Sequence, residues 1–257
     1  MRAESPFVET DAADRQRKLT KPEGSLGVLE STALQICALQ RTTRPVIEAG
    51  TVFLLAGDHG VTAERGSAYM PEMTAKMVIQ FVSGGGAVNA IARENGLALS
   101  VVDMGVDHDC SLATGVVDAK VRRGSRNFSV EPAMTPDECR AAIDRGRDLL
   151  QSGTPIDIIG LGEMGIGNST SACALACAML GLSVEDVVGI GTGIGRETHR
   201  RKAMVIERAL EHHRDRLGDP EAILCTFGGY EIAGQVGLIL AASSRGIPVV
   251  LDGLITG

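Results

Sequence analysis

A run of sixteen residues, Ile156-Asp157-Ile158-Ile159-Gly160-Leu161-Gly162-Glu163-Met164-Gly165-Ile166-Gly167-Asn168-Ser169-Thr170-Ser171, holds most of the chemistry that this chain can offer. It reads as a buried strand, a glycine-rich turn carrying one carboxylate, and the start of a helix. Glycine lets a backbone approach a ligand closely or adopt positive φ, and the amides opening a helix carry partial positive charge. Such a turn suits an anion. Asn168, Ser169 and Thr170 add short polar side chains that cap a helix or bind phosphate oxygens. Glu163 is the odd member, because a carboxylate beside a phosphate cradle is unfavourable unless it meets hydroxyls or a cationic group of the ligand. Ribose fits that need. Gly160, Gly162 and Gly165 also spell G-x-G-x-x-G, a weak signal for which a tight turn that binds nothing is the minority alternative. The next strand carries no convincing ribose-binding acid, so a mononucleotide ranks above a dinucleotide.

Other reactive residues leave alternatives open. Asp58 and His59 follow an apolar run, Val52 to Ala56, and form an acid/base pair, a metal pair or a loop hydrogen-bond network. Asp107, His108, Asp109 and Cys110 have metal-like composition without ligand spacing. Cys173 and Cys177 lie four apart on a presumed helix but lack a second pair, which favours core packing. Lys202 falls near the start of a helix, unfavourable for the dipole unless an anion meets it, although Arg200 and Arg201 beside it fit a solvated basic face equally well. Lys120, Arg122, Arg123 and Arg126 read first as a solvated charged loop. Val187 to Ile194 gives a second glycine-rich loop.

The elements that must position these groups follow from the pattern. Apolar runs 52–56, 97–103, 156–159, 222–227 and 248–252 alternate with helices expected over about 25–40, 74–94, 135–152, 168–181, 197–214 and 230–244, with the glycine turn as an edge loop over 160–168. Gly84-Gly85-Gly86 inside the second helix costs roughly 1 kcal/mol per glycine against alanine and marks close packing or a break. Residues 111–135 look irregular, and residues 1–20 form an arm or a helix resting on a partner. The expected fold is α/β: one domain over 1–257, with a doubly wound, mainly parallel sheet, helices on both faces, and a small helical N-terminal segment.

Composition narrows the function. Among 257 residues the net charge is −7, aromatics make up 3% and Trp is absent, which excludes the basic, stacking surfaces that nucleic acids need. No apolar run reaches the roughly 18 residues of a membrane span, and no signal peptide is evident. Six scattered cysteines in apolar contexts read as reduced thiols, so a cytoplasmic location is expected.

Taken together, Lys21-Pro22-x-Gly24-Ser25-Leu26-Gly27, Ala56-Gly57-Asp58-His59-Gly60-Val61, Gly162-Glu163-Met164-Gly165-Ile166-Gly167-Asn168, Gly191-Thr192-Gly193 and Gly228-Gly229-x-Glu231-Ile232-Ala233 resemble, in order and separation, the nicotinate-nucleotide:dimethylbenzimidazole phosphoribosyltransferases. The likeness runs from about Lys18 to Gly257. It implies transfer of phosphoribose from nicotinate mononucleotide to 5,6-dimethylbenzimidazole for the lower ligand of cobalamin, by a homodimer without metal or cofactor. It implies Glu163 as the catalytic carboxylate, with Gly165, Gly167, Asn168 and Ser169 holding ribose and phosphate. Lys202 would meet the phosphate, and Gly191, Thr192 and Gly193 would line its pocket. Asp58, His59, Ser67, Tyr69 and Met70 would border the aromatic base. The family continues past Asp252-Gly253 to a glutamate that serves as the catalytic base, whereas the sequence stops at Gly257. Impaired turnover, or a non-catalytic nucleotide-binding remnant, is the expectation that follows. Lys76 stands where a glutamine is expected near the base pocket.

Overall fold

The structure, a computed structural model, describes residues 6–110, 113–150, 155–189 and 195–257. Five strands, β1 (Gly50–Gly57), β2 (Ala98–Gly105), β3 (Val116–Asp118), β4 (Ile158–Met164) and β5 (Val249–Val250), form one sheet in the order β3-β2-β1-β4-β5. Every pairing is parallel. The helices are α1 (Pro6–Arg17), α2 (Val28–Gln40), α3 (Met73–Val82), α4 (Ala87–Glu94), α5 (Pro136–Asp148), α6 (Asn168–Leu180), α7 (Val184–Val187), α8 (Arg196–His212), α9 (Pro220–Phe227) and α10 (Tyr230–Arg245).

Alternation along β1 divides the core. Phe53 and Leu55 join one apolar cluster with Val102, Met104, Ile159 and Leu161, while Leu54 and Ala56 join the other with Val78, Phe81 and Val101. A strand covered on both faces must be apolar at every position, which is why 52–56 is a continuous run. Helix α10 covers the first face, and α3 with α4 covers the second. The α10 face is sealed by α5 at very short range. Gly146 and Gly237 stand where any Cβ would overlap the carbonyl oxygens of Gly234 and Ile143 respectively.

Helix α5 starts where the sequence sets it. Thr135 accepts a hydrogen bond from the Glu138 amide at 3.2 Å, Glu138 accepts one from the Thr135 amide at 2.8 Å, and Pro136 takes the first turn. The Gly84–Gly86 run breaks the expected 74–94 helix into α3 and α4. Residues 6–17 are helical and pack on α2 of the same chain.

Three expectations are corrected. The run 222–227 is helix α9, not a strand. Asp219 accepts from the Ala222 amide at 3.0 Å, Pro220 opens the first turn and Glu221 matches the dipole, and these end signals outweigh a six-residue apolar run too short to show a period. The region 111–135 contains β3, which three residues could not announce. Strand β4 extends through Met164, so Gly160, Gly162 and Glu163 belong to the strand and the turn is Gly165–Gly167 alone.

Candidate active site

Chain order along the sheet reverses beside β1, which has β2 on one side and β4 on the other, and ligands of open α/β sheets collect outside the carboxyl ends of such strands. Glu163 lies there, paired in register with Leu55 one residue from the end of β4. Period-2 alternation puts it on the face of Ile159 and Leu161, toward α10. The first carboxylate of α10 is Glu231, fully buried. Burial and the Glu231 charge push the Glu163 carboxyl above its usual range, against the pull of the Asn168 amide and the His59 ring. Asn168 Nδ2 donates to Glu163 Oε2, so the first residue of α6 holds the carboxylate in place.

The turn after β4 is built on one obligatory glycine. Gly167 has φ +100, and a Cβ there would also sit 2.9 Å from Thr62 Cγ2 and 3.0 Å from His59 Cβ. The α6 helix that it starts has no side-chain cap; the Asn168 amide donates to the Gly165 carbonyl at 3.1 Å and the Thr170 amide to the Gly167 carbonyl at 2.9 Å, which leaves the Ser169 amide for an acceptor. The Ile166 amide donates to Thr74 Oγ1 at 3.1 Å, tying the turn to α3.

Lys202 reaches this helix start from α8. It sits in the second turn of α8 rather than the first, is only 2% exposed, and donates from Nζ to Ser169 Oγ at 3.1 Å. Burial lowers its pKa. Among the described residues no carboxylate pairs with it, and a buried ammonium left without a counter-charge is costly. A small cavity is lined by Lys202, Gly167, Thr170, Ser67, Val61 and Glu64, so the structure brings the predicted phosphate lysine, the turn and Ser67 to one place, while the Glu64 carboxylate is bonded to Asn127, Ser129 and Arg208 rather than to Lys202.

The remaining predicted residues separate. Tyr69 and Met70 lie on an exposed loop beside Ser67. Lys76 is exposed on α3. Asp58 and His59 lie under the turn and are buried. Asp58 Oδ2 accepts from the Asp107 amide at 2.8 Å, and burial pushes its carboxyl up. His59 Nε2 is 2.5 Å from Glu231 Oε1, and Nδ1 is 2.9 Å from Ser171 Oγ. Gly191, Thr192 and Gly193 fall outside the described residues.

The alternatives left open elsewhere close as well. Lys120 pairs with Asp103 at 2.8 Å and Arg126 with Glu138 at 2.5 Å, so both are held by acids of the fold. Cys173 and Cys177 are buried in the core, and the six cysteines are free. No group of three or more His, Cys, Asp or Glu among the described residues could hold a metal ion. No helix among them is long and apolar enough to cross a membrane.

Sequence reasoning quoted Glu231 only within a motif and gave Ser171 no role. Their partner His59 lies 172 and 112 residues away, and no local pattern reports such a meeting. The one available signal is an acid in the first turn after Gly228-Gly229.

Comparison with known proteins adds an independent line. A phosphoribosyltransferase family model, DBI_PRT, matches residues 2–257. The nicotinate-nucleotide--dimethylbenzimidazole phosphoribosyltransferase of Chlorobaculum tepidum is 45% identical over 240 residues, spanning 93% of this chain and 68% of that one. The protein of the same name from Dechloromonas aromatica is 41% identical over 254 residues, 97% of this chain and 73% of the relative. The crystal structure of CobT from Thermus thermophilus superposes with a TM-score of 0.92 at 41% identity, covering 98% of this chain and 76% of that one.

Proposed function

The chain belongs to the nicotinate-nucleotide:dimethylbenzimidazole phosphoribosyltransferase family, and we propose that its β1/β4 site transfers the phosphoribosyl group of nicotinate mononucleotide to 5,6-dimethylbenzimidazole, giving α-ribazole 5′-phosphate and nicotinate for cobalamin biosynthesis. The observation that carries this reading is the buried Lys202, without an ion-pair partner among the described residues and aimed at Ser169 in the first turn of α6, with Glu163 held at the same turn by Asn168. A dianionic phosphate supplies the missing counter-charge, and ribose hydroxyls supply donors for the carboxylate.

In this arrangement the phosphate sits among the Lys202 ammonium, the Ser169 hydroxyl and the Ser169 amide after Gly167. The C1′–N bond to the pyridinium breaks as the imidazole nitrogen of the acceptor attacks C1′. Positive charge develops on the ribosyl carbon, and Glu163 stabilises it. The acceptor's N–H proton leaves once the new bond forms, which a carboxylate base assists. The base lies against the Ser67–Met70 loop, over Asp58 and His59.

The enzyme acts as a homodimer, a reading supported by Leu26, Val28 and Leu29, which stand exposed at the start of α2. A cytoplasmic location is supported by the six free, buried cysteines, because a reducing compartment keeps thiols unpaired.

Lys202→Met tests the phosphate assignment. Methionine keeps most of the buried stem and removes the charge, so nicotinate mononucleotide should bind about tenfold to a hundredfold more weakly, the worth of one charge-assisted hydrogen bond. Titration calorimetry reads this directly. Unchanged affinity would move the phosphate elsewhere.

A further inference from the structure

The mechanism above leaves one buried group of titratable side chains unused. His59 is 2% exposed and Glu231 not exposed at all, and they meet at 2.5 Å under the site. The pair is built into three loops. A Cβ on Gly57 would come 2.7 Å from Glu231 Oε2, one on Gly229 would come 2.8 Å from the same oxygen, and one on Gly165 would come 3.3 Å from both Glu231 Oε1 and His59 Cδ2. Bare backbone from the ends of β1 and β4 and from the start of α10 therefore closes around the carboxylate. Gly57 and Gly229 are thus needed to admit the Glu231 side chain, and Gly165 also clears the Gly57 carbonyl oxygen, which a Cβ would overlap.

His59 has a second bond, Nδ1 to Ser171 Oγ at 2.9 Å, and Ser171 is itself fully buried in the first turn of α6. That turn also carries Asn168, which holds Glu163, and Ser169, which meets Lys202. The imidazole thus joins the loop after β1, the start of α10 and the helix start on which the substrate phosphate rests.

We propose that His59, clasped between Glu231 and Ser171, is a positioning residue that fixes the start of α6 and thereby the phosphate subsite. The inference rests on the function proposed above for that subsite. It assigns His59 no contact with substrate: its effect reaches the nucleotide through Ser171 and the α6 amides. Buried polar atoms need partners, so breaking the Ser171 bond leaves a ring nitrogen unsatisfied and frees the first helical turn to shift. The Glu231 carboxylate requires the proton on Nε2. Burial alone would lower the ring's pKa, but the Glu231 charge and hydrogen bond, with Asp58 and Glu163 adding to them, hold it above the ordinary value. Those three carboxylates are the charged groups facing the ring, one each from α10, the β1 loop and β4. Nε2–H is directed at Glu231, and Nδ1 meets Ser171 Oγ.

The test compares the full chain with Ser171→Ala and Ser171→Thr. Ser171→Ala should raise KM for nicotinate mononucleotide about tenfold, the worth of one hydrogen bond of this kind, while kcat stays within about twofold and KM for dimethylbenzimidazole is unmoved. Ser171→Thr, which keeps the hydroxyl, should recover most of the loss. Imidazole ¹⁵N spectra of the unsubstituted chain, which need no variant to fold, should show the proton on His59 Nε2 and a hydrogen-bonded Nδ1 at pH 7.5. A His59 ring with no proton on Nε2, or a Ser171→Ala variant that folds and keeps its nucleotide KM, overturns the proposal. Should the unsubstituted chain bind no nicotinate mononucleotide, the proposed function fails by itself. The clasp is then judged on the ¹⁵N spectra and on inorganic phosphate, whose binding Ser171→Ala should weaken by the same factor.

Discussion

Glu163→Gln should lower kcat by about two to three orders of magnitude while leaving the affinity for nicotinate mononucleotide within a few-fold. The asymmetry follows from where the charge is needed. In the ground state the side chain accepts hydroxyl hydrogen bonds, which glutamine can still do through its carbonyl oxygen. In the transition state it faces a cationic C1′, which glutamine cannot stabilise. The pH dependence has a definite sign. Burial and the Glu231 charge raise the Glu163 pKa above the ordinary glutamate value of 4.5, and the ionised form is the working one. Activity is therefore present above that raised pKa and lost as pH falls through it, so the acidic limb of kcat/KM lies above 4.5. In Glu163→Gln this limb should vanish. The same substitution removes a carboxylate that is destabilised by its neighbour, so thermal stability should hold or rise, separating loss of chemistry from loss of fold. Steady-state rates from pH 4 to 9 with calorimetric melting check all of this, and a variant that melts early and regains activity on cooling would point to a structural role instead.

The second large effect concerns stability. Gly237→Ala should destabilise the protein by about 3 kcal/mol, although alanine in a helix normally gains about 1 kcal/mol over glycine. Packing decides the sign. A Cβ at Gly237 would overlap the Ile143 carbonyl oxygen, a backbone atom in the middle of α5 that cannot rotate away. Relief requires α10 to move off α5, and α10 begins with Tyr230 and Glu231, both fully buried. The loss of stability should therefore come with a loss of turnover. Urea unfolding midpoints measure the first, and an unchanged midpoint would mean that the two helices do not approach as closely as described.

These two predictions mark the boundary of what the sequence could tell. Glu163 and the 165–168 turn were legible because a strand, a glycine turn and a helix start are local patterns, and the hydrogen bond from Asn168 to Glu163 spans five residues. Strand β1 and the Thr135 capping box were legible for the same reason. Gly237 was not. Within its own helix it reads only as a poor helix former, and its purpose lies in a carbonyl on α5, more than ninety residues upstream. The His59–Glu231 pair has the same character, with no period, spacing or cap to reveal it. Helix α9 was misread because six apolar residues fit a strand or a helix equally, and the Asp219-Pro220-Glu221 signals before it carry the distinction. Contacts between distant segments are what the structure adds, and they decide which glycines serve the ligand and which serve the fold.

The most direct measurement is chromatographic. The purified 257-residue chain is incubated with nicotinate mononucleotide and dimethylbenzimidazole, and the products are separated and quantified. The expected result is α-ribazole 5′-phosphate and free nicotinate in equal amounts, formed only when both substrates are present. Nucleotide binding without either product would contradict the account, leaving a pocket that holds phosphoribose but does not transfer it.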